Sequence, residues 1–145
     1  MRSGAGPSGT ATLQVMLSLE NATYLVHDLD DAIEFFTDAL GFTLRQDETF
    51  EGGWRRVVVS PGAGEAPGLV LALATSDDAR ARVGRPAGDE VAFFLRTDDF
   101  AAQHARMLAR GVTFREEPRH EPYGTVAVFE DLYGTPWDLI QPPSA

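Results

Sequence analysis

Apolar and polar residues follow the same order twice along this chain. In the first half an apolar run at residues 15–26 is followed by acidic residues, by apolar positions at helical spacing and by Gly41. In the second half the run at residues 90–96 is followed by acidic residues, a second helical pattern and Gly111. A duplicated unit of this size cannot bury its apolar face alone, so we expect the two copies to pack on each other. The groove between them is then the first place to look for a site.

Each copy predicts a β-α-β-β-β unit. Asp28 is a candidate N-cap for the first helix, whose apolar residues form one stripe, and Gly41 is its expected left-handed end. The other strands are assigned from β-branched and apolar runs between turn residues. In the first unit they cover residues 42–45, 54–60 and 69–74; in the second a helix at 99–110 precedes strands at 112–115, 125–129 and 137–141.

The domain organisation follows from these elements. Residues 1–12 are predicted to be a disordered tail, and residues 13–75 the first unit. Residues 76–89, with three arginines, a proline and two glycines, are predicted to be a surface linker, and residues 90–142 the second unit. The two units are expected to form one structural domain.

Composition narrows the chemistry that the chain can perform. The net charge of −10 disfavours nucleic acid, because phosphate contacts need clustered cations. No apolar run reaches membrane-spanning length and the tail lacks a signal-peptide core, so we expect a cytoplasmic protein. There is no cysteine, and all 12 basic residues are arginine, which excludes a thiolate nucleophile and a lysine Schiff base. Proton transfer would depend on carboxylates, histidines or a tyrosine.

The duplicated order, together with the sequence Asp-Leu-Tyr-Gly-Thr-Pro-Trp-Asp-Leu at residues 131–139, resembles the vicinal oxygen chelate superfamily. That group includes glyoxalase I, extradiol dioxygenases, and the fosfomycin- and bleomycin-resistance proteins. The resemblance covers residues 17–142. It implies an α+β fold of two tandem β-α-β-β-β modules, with curled mixed sheets forming a cup for a small ligand and helices outside. Many members dimerise, so the resemblance also implies a homodimer.

The resemblance implies where a divalent metal would be held, on the first and last strand of each module. Strand alternation places Asn21, Leu71, Glu90 and Asp138 at those positions. Leucine cannot coordinate a metal, and no histidine occupies any of the four. We therefore expect no cofactor, with a hard cation on Glu90 and Asp138 as the alternative. The same two carboxylates are the candidate catalytic acid and base.

Other candidate ligand contacts come from the same alternation. Leu69, Leu71 and Leu73 are either core residues or, by strand alternation, an apolar wall of the cup. Trp54 and Phe94 could stack on a planar ligand, core packing being the other interpretation of Phe94. Arg96 shares the face of Glu90 and forms either a salt bridge or an anchor for a ligand anion. His120 and Tyr123 lie in a loop with two prolines and a glycine, which could cover the mouth of the cup.

Three functional hypotheses follow. The leading one is a metal-independent protein, similar to the bleomycin-resistance branch, that sequesters a small molecule. Leucines and Trp54 would desolvate its apolar part, and Glu90, Asp138 and Asn21 would bind a polar or cationic part. The alternative is an enzyme of the same superfamily, a lyase, isomerase or dioxygenase, using a metal or the Glu90 and Asp138 pair. The third is a dimeric interaction module whose cup is filled by its own side chains.

Overall fold

The computed structural model describes residues 15–144, so the disordered tail predicted for residues 1–12 lies outside it. The first unit contains β1 (Asn21–Val26), α1 (Leu29–Glu34) with a π-helical turn (Phe35–Ala39), β2 (Thr43–Thr49), β3 (Arg55–Ser60) and β4 (Gly68–Leu73). A short helix, α2 (Asp77–Arg82), follows. The second unit contains β5 (Phe93–Arg96), α3 (Phe100–Ala109), β6 (Thr113–Phe114), β7 (Arg119–Glu121), β8 (Gly124–Glu130) and β9 (Pro136–Gln141).

Each unit contributes one mixed sheet. The first has the order β1-β4-β3-β2, and the second has the order β5-β9-β8-β6 with β7 also paired to β8. In both sheets the first and last strands of the unit run parallel, while the remaining pairs are antiparallel. This repetition confirms the predicted α+β fold of two tandem units. No helix between residues 15 and 144 is long and apolar enough to cross a membrane.

The two main helices begin and end alike. Asp28 accepts a hydrogen bond from the backbone N–H of Asp31 at 2.8 Å, and Asp99 accepts one from Ala102 at 3.0 Å. These side chains satisfy N–H groups that have no partner within the helix. Gly41 and Gly111 follow the helices with φ angles of 83° and 79°, a backbone conformation that favours glycine. The helix limits predicted from the sequence are confirmed.

Both helices share one hydrophobic core. The ring of Phe36, in the π-helical turn of the first unit, lies 5.9 Å from the indole of Trp137 in the second. Arg106 of α3 donates to the carbonyl oxygen of Asp38 at 2.8 Å, and Gln103 donates to that of Leu40 at 2.9 Å. Trp137 is 3% exposed, so its predicted structural role is confirmed.

A buried carboxylate explains much of the sequence at residues 131–139. Asp131, which is 6% exposed, accepts hydrogen bonds from the Tyr24 hydroxyl and from the indole N–H of Trp137 at 3.0 Å. Backbone N–H groups of Tyr133 and Thr135 donate to its other oxygen at 2.9 and 3.2 Å. Burial nevertheless raises the pKa of Asp131. Because Tyr24 belongs to β1, this network joins the first unit to the second.

Each sheet has two faces, and we call the one turned away from the shared core the cup face. Val58 and Val126 lie on the two cup faces, since both are at most 1% exposed yet stand outside the contiguous core. The strand register then assigns Val70, the partner of Val58, to the cup face of the first sheet. It assigns Phe94, Asp138 and Val128, which are partners across three strands, to the cup face of the second.

Contrary to the prediction, Leu69, Leu71 and Leu73 do not lie on the cup face. Leu69 and Leu71 are 7% and 2% exposed and belong to the shared core beside Tyr24, and Leu73 lies on the same side of β4. Adjacent residues of a strand point to opposite faces, so an error of one position exchanges the faces. Leu71 is therefore a core residue, and Val70 occupies the position predicted for it.

Candidate functional site

An apolar groove lies between the two units, along the edge strand β5. It has a volume of about 200 Å³, and both units contribute to its wall. The side chains of Phe93 and Trp137 come from the second sheet, and Leu69 from the first. The remaining wall includes Leu19, Ala22, Phe42, Pro61, Pro67, Gly68, Phe94 and Leu95. We call this cavity the apolar groove.

A more polar cavity adjoins the apolar groove. It has a volume of about 380 Å³ and shares Phe42, Pro61 and Leu95 with the groove. Arg96 and Arg106 are among its other lining residues. We call it the polar crevice. Because the two cavities share three residues, they form neighbouring parts of one cleft between the units.

Phe94 stands at the mouth of the apolar groove. Its side chain is 69% exposed, which is unusual for a phenyl ring on a strand. It lies on β5 between Phe93, which packs on Trp137 with ring centroids 4.5 Å apart, and the buried Leu95. The edge position of β5 leaves the ring uncovered. The groove therefore has an aromatic floor, and Phe94 borders it from the edge strand with its ring on the opposite face of β5.

Asp138 lies beside Phe94 on the neighbouring strand. Its Oδ1 atom is buried and has no hydrogen-bond partner among residues 15–144. Burial raises the pKa of the Asp138 carboxyl, and Glu116 acts in the same direction, whereas the Arg119 charge lowers it. An unpartnered buried carboxylate oxygen is costly, so the neutral acid is favoured here more than at a surface site.

The structure does not bring Glu90 to Asp138. Glu90 lies in an exposed bend, three residues before β5 begins at Phe93. The strand register pairs Asp138 with Phe94, which lies four residues after Glu90 in the chain. The predicted start of this strand at Glu90 is wrong, because the chain turns through residues 86–90 before it becomes extended. The predicted carboxylate pair is therefore not assembled.

Asn21 is already engaged within the first sheet. Its Oδ1 accepts a hydrogen bond from Arg45, which also donates to Ser60 at 2.9 Å and lies 3.5 Å from the carboxylate of Glu20. The sequence reasoning missed Arg45, which sits at an irregularity in the β2–β3 pairing. A ligand would have to displace this cluster to reach Asn21.

The predicted mouth loop is a strand. Residues 119–121 form β7, so Arg119 and His120 point to opposite faces of the second sheet. His120 lies 3.2 Å from the hydroxyl of Thr125 on the core side, away from Asp138. Tyr123, in the tight turn that follows, is 55% exposed. Neither side chain lines the apolar groove or the polar crevice.

Trp54 also stands apart from the cleft. It is 58% exposed at the tip of the β2–β3 hairpin, where its ring lies 5.0 Å from that of Phe50. Of the residues predicted to contact a ligand, Leu69, Phe94 and Arg96 line the cleft.

An ion cluster on the cup face was not predicted. Arg119 donates to Glu116 at 2.7 Å, and the second oxygen of Glu116 accepts from the backbone N–H of Val128 at 2.9 Å. Hydrogen bonds with Glu116, Tyr123 and Glu121 raise the pKa of Arg119. Alternation of charged residues at 119 and 121 before a Pro-Tyr-Gly turn was the signal that could have identified this strand.

The donor atoms do not fit a bound divalent metal. Within the described range, residues 15–144, no three His, Cys, Asp or Glu side chains converge as a metal site. The strand partners of Asp138 are Phe94 and Val128, which have no ligating atoms, and Glu116 is held by Arg119. A metal would need oxygen or nitrogen donors that this surface does not supply.

Comparisons with known proteins agree with this architecture. A model of the Glyoxalase/Bleomycin resistance protein/Dioxygenase superfamily matches residues 18–139. An uncharacterised protein of Shewanella frigidimarina (strain NCIMB 400) is 42% identical over 125 residues, 86% of this chain and 93% of that protein. The crystal structure of UcmS2 is 30% identical with a TM-score of 0.74, covering 87% of this chain and 98% of that one. TnmS3, an antibiotic binding protein from Streptomyces sp. CB03234, is 28% identical with a TM-score of 0.68, covering 90% and 99%.

Proposed function

Because the chain belongs to the glyoxalase/bleomycin resistance protein/dioxygenase superfamily, we propose that it is a metal-independent protein that binds a small molecule in the cleft between its two units. The observation that carries this proposal is the apolar groove, with Phe93 and Trp137 at its floor and the exposed Phe94 at its rim. Phe94 is exposed, whereas its strand neighbours Phe93 and Leu95 pack into or against the shared core.

The groove suits a flat apolar group. Its aromatic walls can stack on a ring, and each Å² of apolar surface removed from water contributes about 25 cal/mol. The adjoining polar crevice extends the space beyond one ring system, which gives the elongated, mostly apolar shape usual for ligand pockets.

A binding role is also supported by one relative, since TnmS3 is an antibiotic binding protein. The mechanism would be sequestration, in which the protein shields the ligand from its target without changing it. The proposal includes a homodimer, supported by four apolar side chains of residues 15–19 that are at least 67% exposed. Cytoplasmic location stays a prediction from the sequence.

We do not extend the proposal to catalysis. The enzyme hypothesis needs Glu90 and Asp138 as a pair or a divalent metal between them, and Glu90 lies outside the strand that faces Asp138. A lone carboxyl group beside a phenyl ring can accept a hydrogen bond, but it supplies no second group for the opposite proton transfer.

A fluorescent apolar probe tests the proposal. N-phenyl-1-naphthylamine, which is neutral, should bind with a rise in emission, and Phe94→Ala should weaken its binding by about tenfold, because roughly 1.4 kcal/mol of ring contact is lost. Tyr123→Ala is the matched control, since Tyr123 is similarly exposed but lies outside the cleft. A metal chelator should leave the affinity unchanged. Equal effects of both variants, or binding that a chelator abolishes and Mn²⁺ or Zn²⁺ restores, would contradict the proposal.

A further inference from the structure

Among the described residues, Arg96 has a guanidinium without a partner, unlike the other arginines. Between residues 15 and 144, the other arginines each form an ion pair or a side-chain hydrogen bond. Arg96 forms neither with a described residue, although 22 acidic residues are present in the chain. The guanidinium of Arg96 is therefore available to bind an anionic group of a ligand.

The polar crevice concentrates positive charge around Arg96. Arg106 also lines it, and its guanidinium is held in place by the carbonyl oxygens of Asp38 and Thr37 rather than by a carboxylate. The carboxylate of Asp38 lies 3.4 Å from Arg110 instead. Asp98 is the acidic residue that lines the crevice. Two cations and one anion leave one positive charge, which one negative charge on a ligand would balance.

The position of this charge beside the apolar groove defines the ligand further. Phe94 and Arg96 lie two residues apart on β5, so both side chains leave the strand on one face. Their separation along the strand is about 7 Å, close to the length of a fused ring system. A molecule stacked on Phe94 could therefore place an anionic group at Arg96 without bending.

We infer that the ligand is an amphipathic monoanion, an aromatic or aliphatic body in the apolar groove with a carboxylate, sulfonate or similar group on Arg96. The inference rests on the proposed binding function. The net charge of −10 would favour a cationic ligand, whereas the cleft favours an anionic one. A bound ion interacts mainly with the charges that line the cleft, because salt screens the more distant surface charges. Arginine suits this role because its planar guanidinium can donate two parallel hydrogen bonds to one anion.

Two dyes with the same aromatic body test the inference. 8-Anilinonaphthalene-1-sulfonate carries one sulfonate, and N-phenyl-1-naphthylamine carries no charge. The sulfonate dye should bind at least about tenfold more tightly to the unaltered protein, and raising NaCl from about 0.05 M to about 0.5 M should reduce that advantage. Arg96→Gln should remove most of it, while changing the affinity for the neutral dye less than about twofold.

Arg80→Gln is the matched control, because it removes the same charge from an exposed arginine that pairs with Asp77 on α2. Both variants alter exposed side chains, and circular dichroism checks that their folds are unchanged. Equal affinities for the two dyes, unaffected by Arg96→Gln, would overturn the inference and leave the proposed function standing. Failure of both dyes to bind would overturn both.

A second copy of the chain is the competing occupant of the cleft. Sedimentation of the same samples measures self-association across the concentration range of the titrations. If either dye binds only as the protein dissociates, the cleft is covered by another subunit, and the inference of an anionic small ligand is wrong.

Discussion

Asp138 is an acidic residue whose surroundings do not satisfy its carboxylate. One of its carboxylate oxygens is buried without a partner, and burial raises the pKa of the group. In the unfolded chain the pKa of this carboxyl is near its ordinary value of 3.8. The folded protein therefore holds this proton to a higher pH than the unfolded chain does. The stability that the neutral acid contributes is present below the unfolded pKa and is lost as the pH rises through the folded pKa.

Asp138→Asn should accordingly stabilise the protein at neutral pH by about 1 kcal/mol, since an amide removes the buried charge. The gain should shrink as the pH falls through the folded pKa and vanish well below 3.8, where the carboxyl is protonated in both states. Urea unfolding at a series of pH values measures it. Asp98→Asn, at an exposed carboxylate in the same unit, is the control and should show no such trend. A stability loss at pH 7 would mean that the charge of Asp138 is satisfied.

Strands β3 and β4 leave no space for a side chain at Gly68. A Cβ atom added to Gly68 would lie 2.3 Å from the Ser60 hydroxyl and 2.6 Å from the carbonyl oxygen of Val59. Ser60 is fully buried, and the carbonyl belongs to a paired strand, so neither can move aside cheaply. Gly68 also lines the apolar groove, so a separation of the two strands would alter its wall.

Gly68→Ala should therefore destabilise the protein by about 2 to 3 kcal/mol, because the two strands must separate to admit the methyl group. It should also weaken binding of the neutral dye. Gly52→Ala tests the specificity of this result. Gly52 has a φ of 90° at a hairpin tip with no atom near its Cβ position, so the variant should cost about 1 kcal/mol of backbone strain and leave dye binding intact. Equal effects of both on binding would contradict a local role for Gly68.

Across the whole molecule, the two units are expected to unfold together. They share one core, and the hydrogen bond from Tyr24 to Asp131 crosses between them. Trp54→Phe leaves Trp137 as the single tryptophan, which reports on the second unit, while circular dichroism reports on both. The two signals should change at the same urea concentration. Tyr24→Phe should lower that midpoint, costing about 1 to 3 kcal/mol, with the signals still coincident. Separate midpoints would show that the units are independent.

The elements of this fold could be predicted where local chemistry determines them. Asp28 and Asp99 begin helices because their side chains cap free N–H groups, and Gly41 and Gly111 end them because glycine accepts a positive φ. Residues 76–89, predicted as a linker, contain the short helix α2, which Ser76 caps in the same way. Strand limits are less predictable from the sequence: β5 begins three residues later than predicted, and the strand β7 lies where a loop is predicted.

What the sequence determined by itself was therefore the duplicated α+β order, the family resemblance and the structural role of Trp137. Each depends on spacing along the chain, which a sequence records directly. The tertiary structure alone decided that Leu71 is core, that Glu90 is separated from Asp138, and that Phe94 and Arg96 share a cleft. Those facts depend on where each strand begins and how closely two units approach. A shift of one residue reverses a side chain's direction without altering the apolar pattern that predicts the strand.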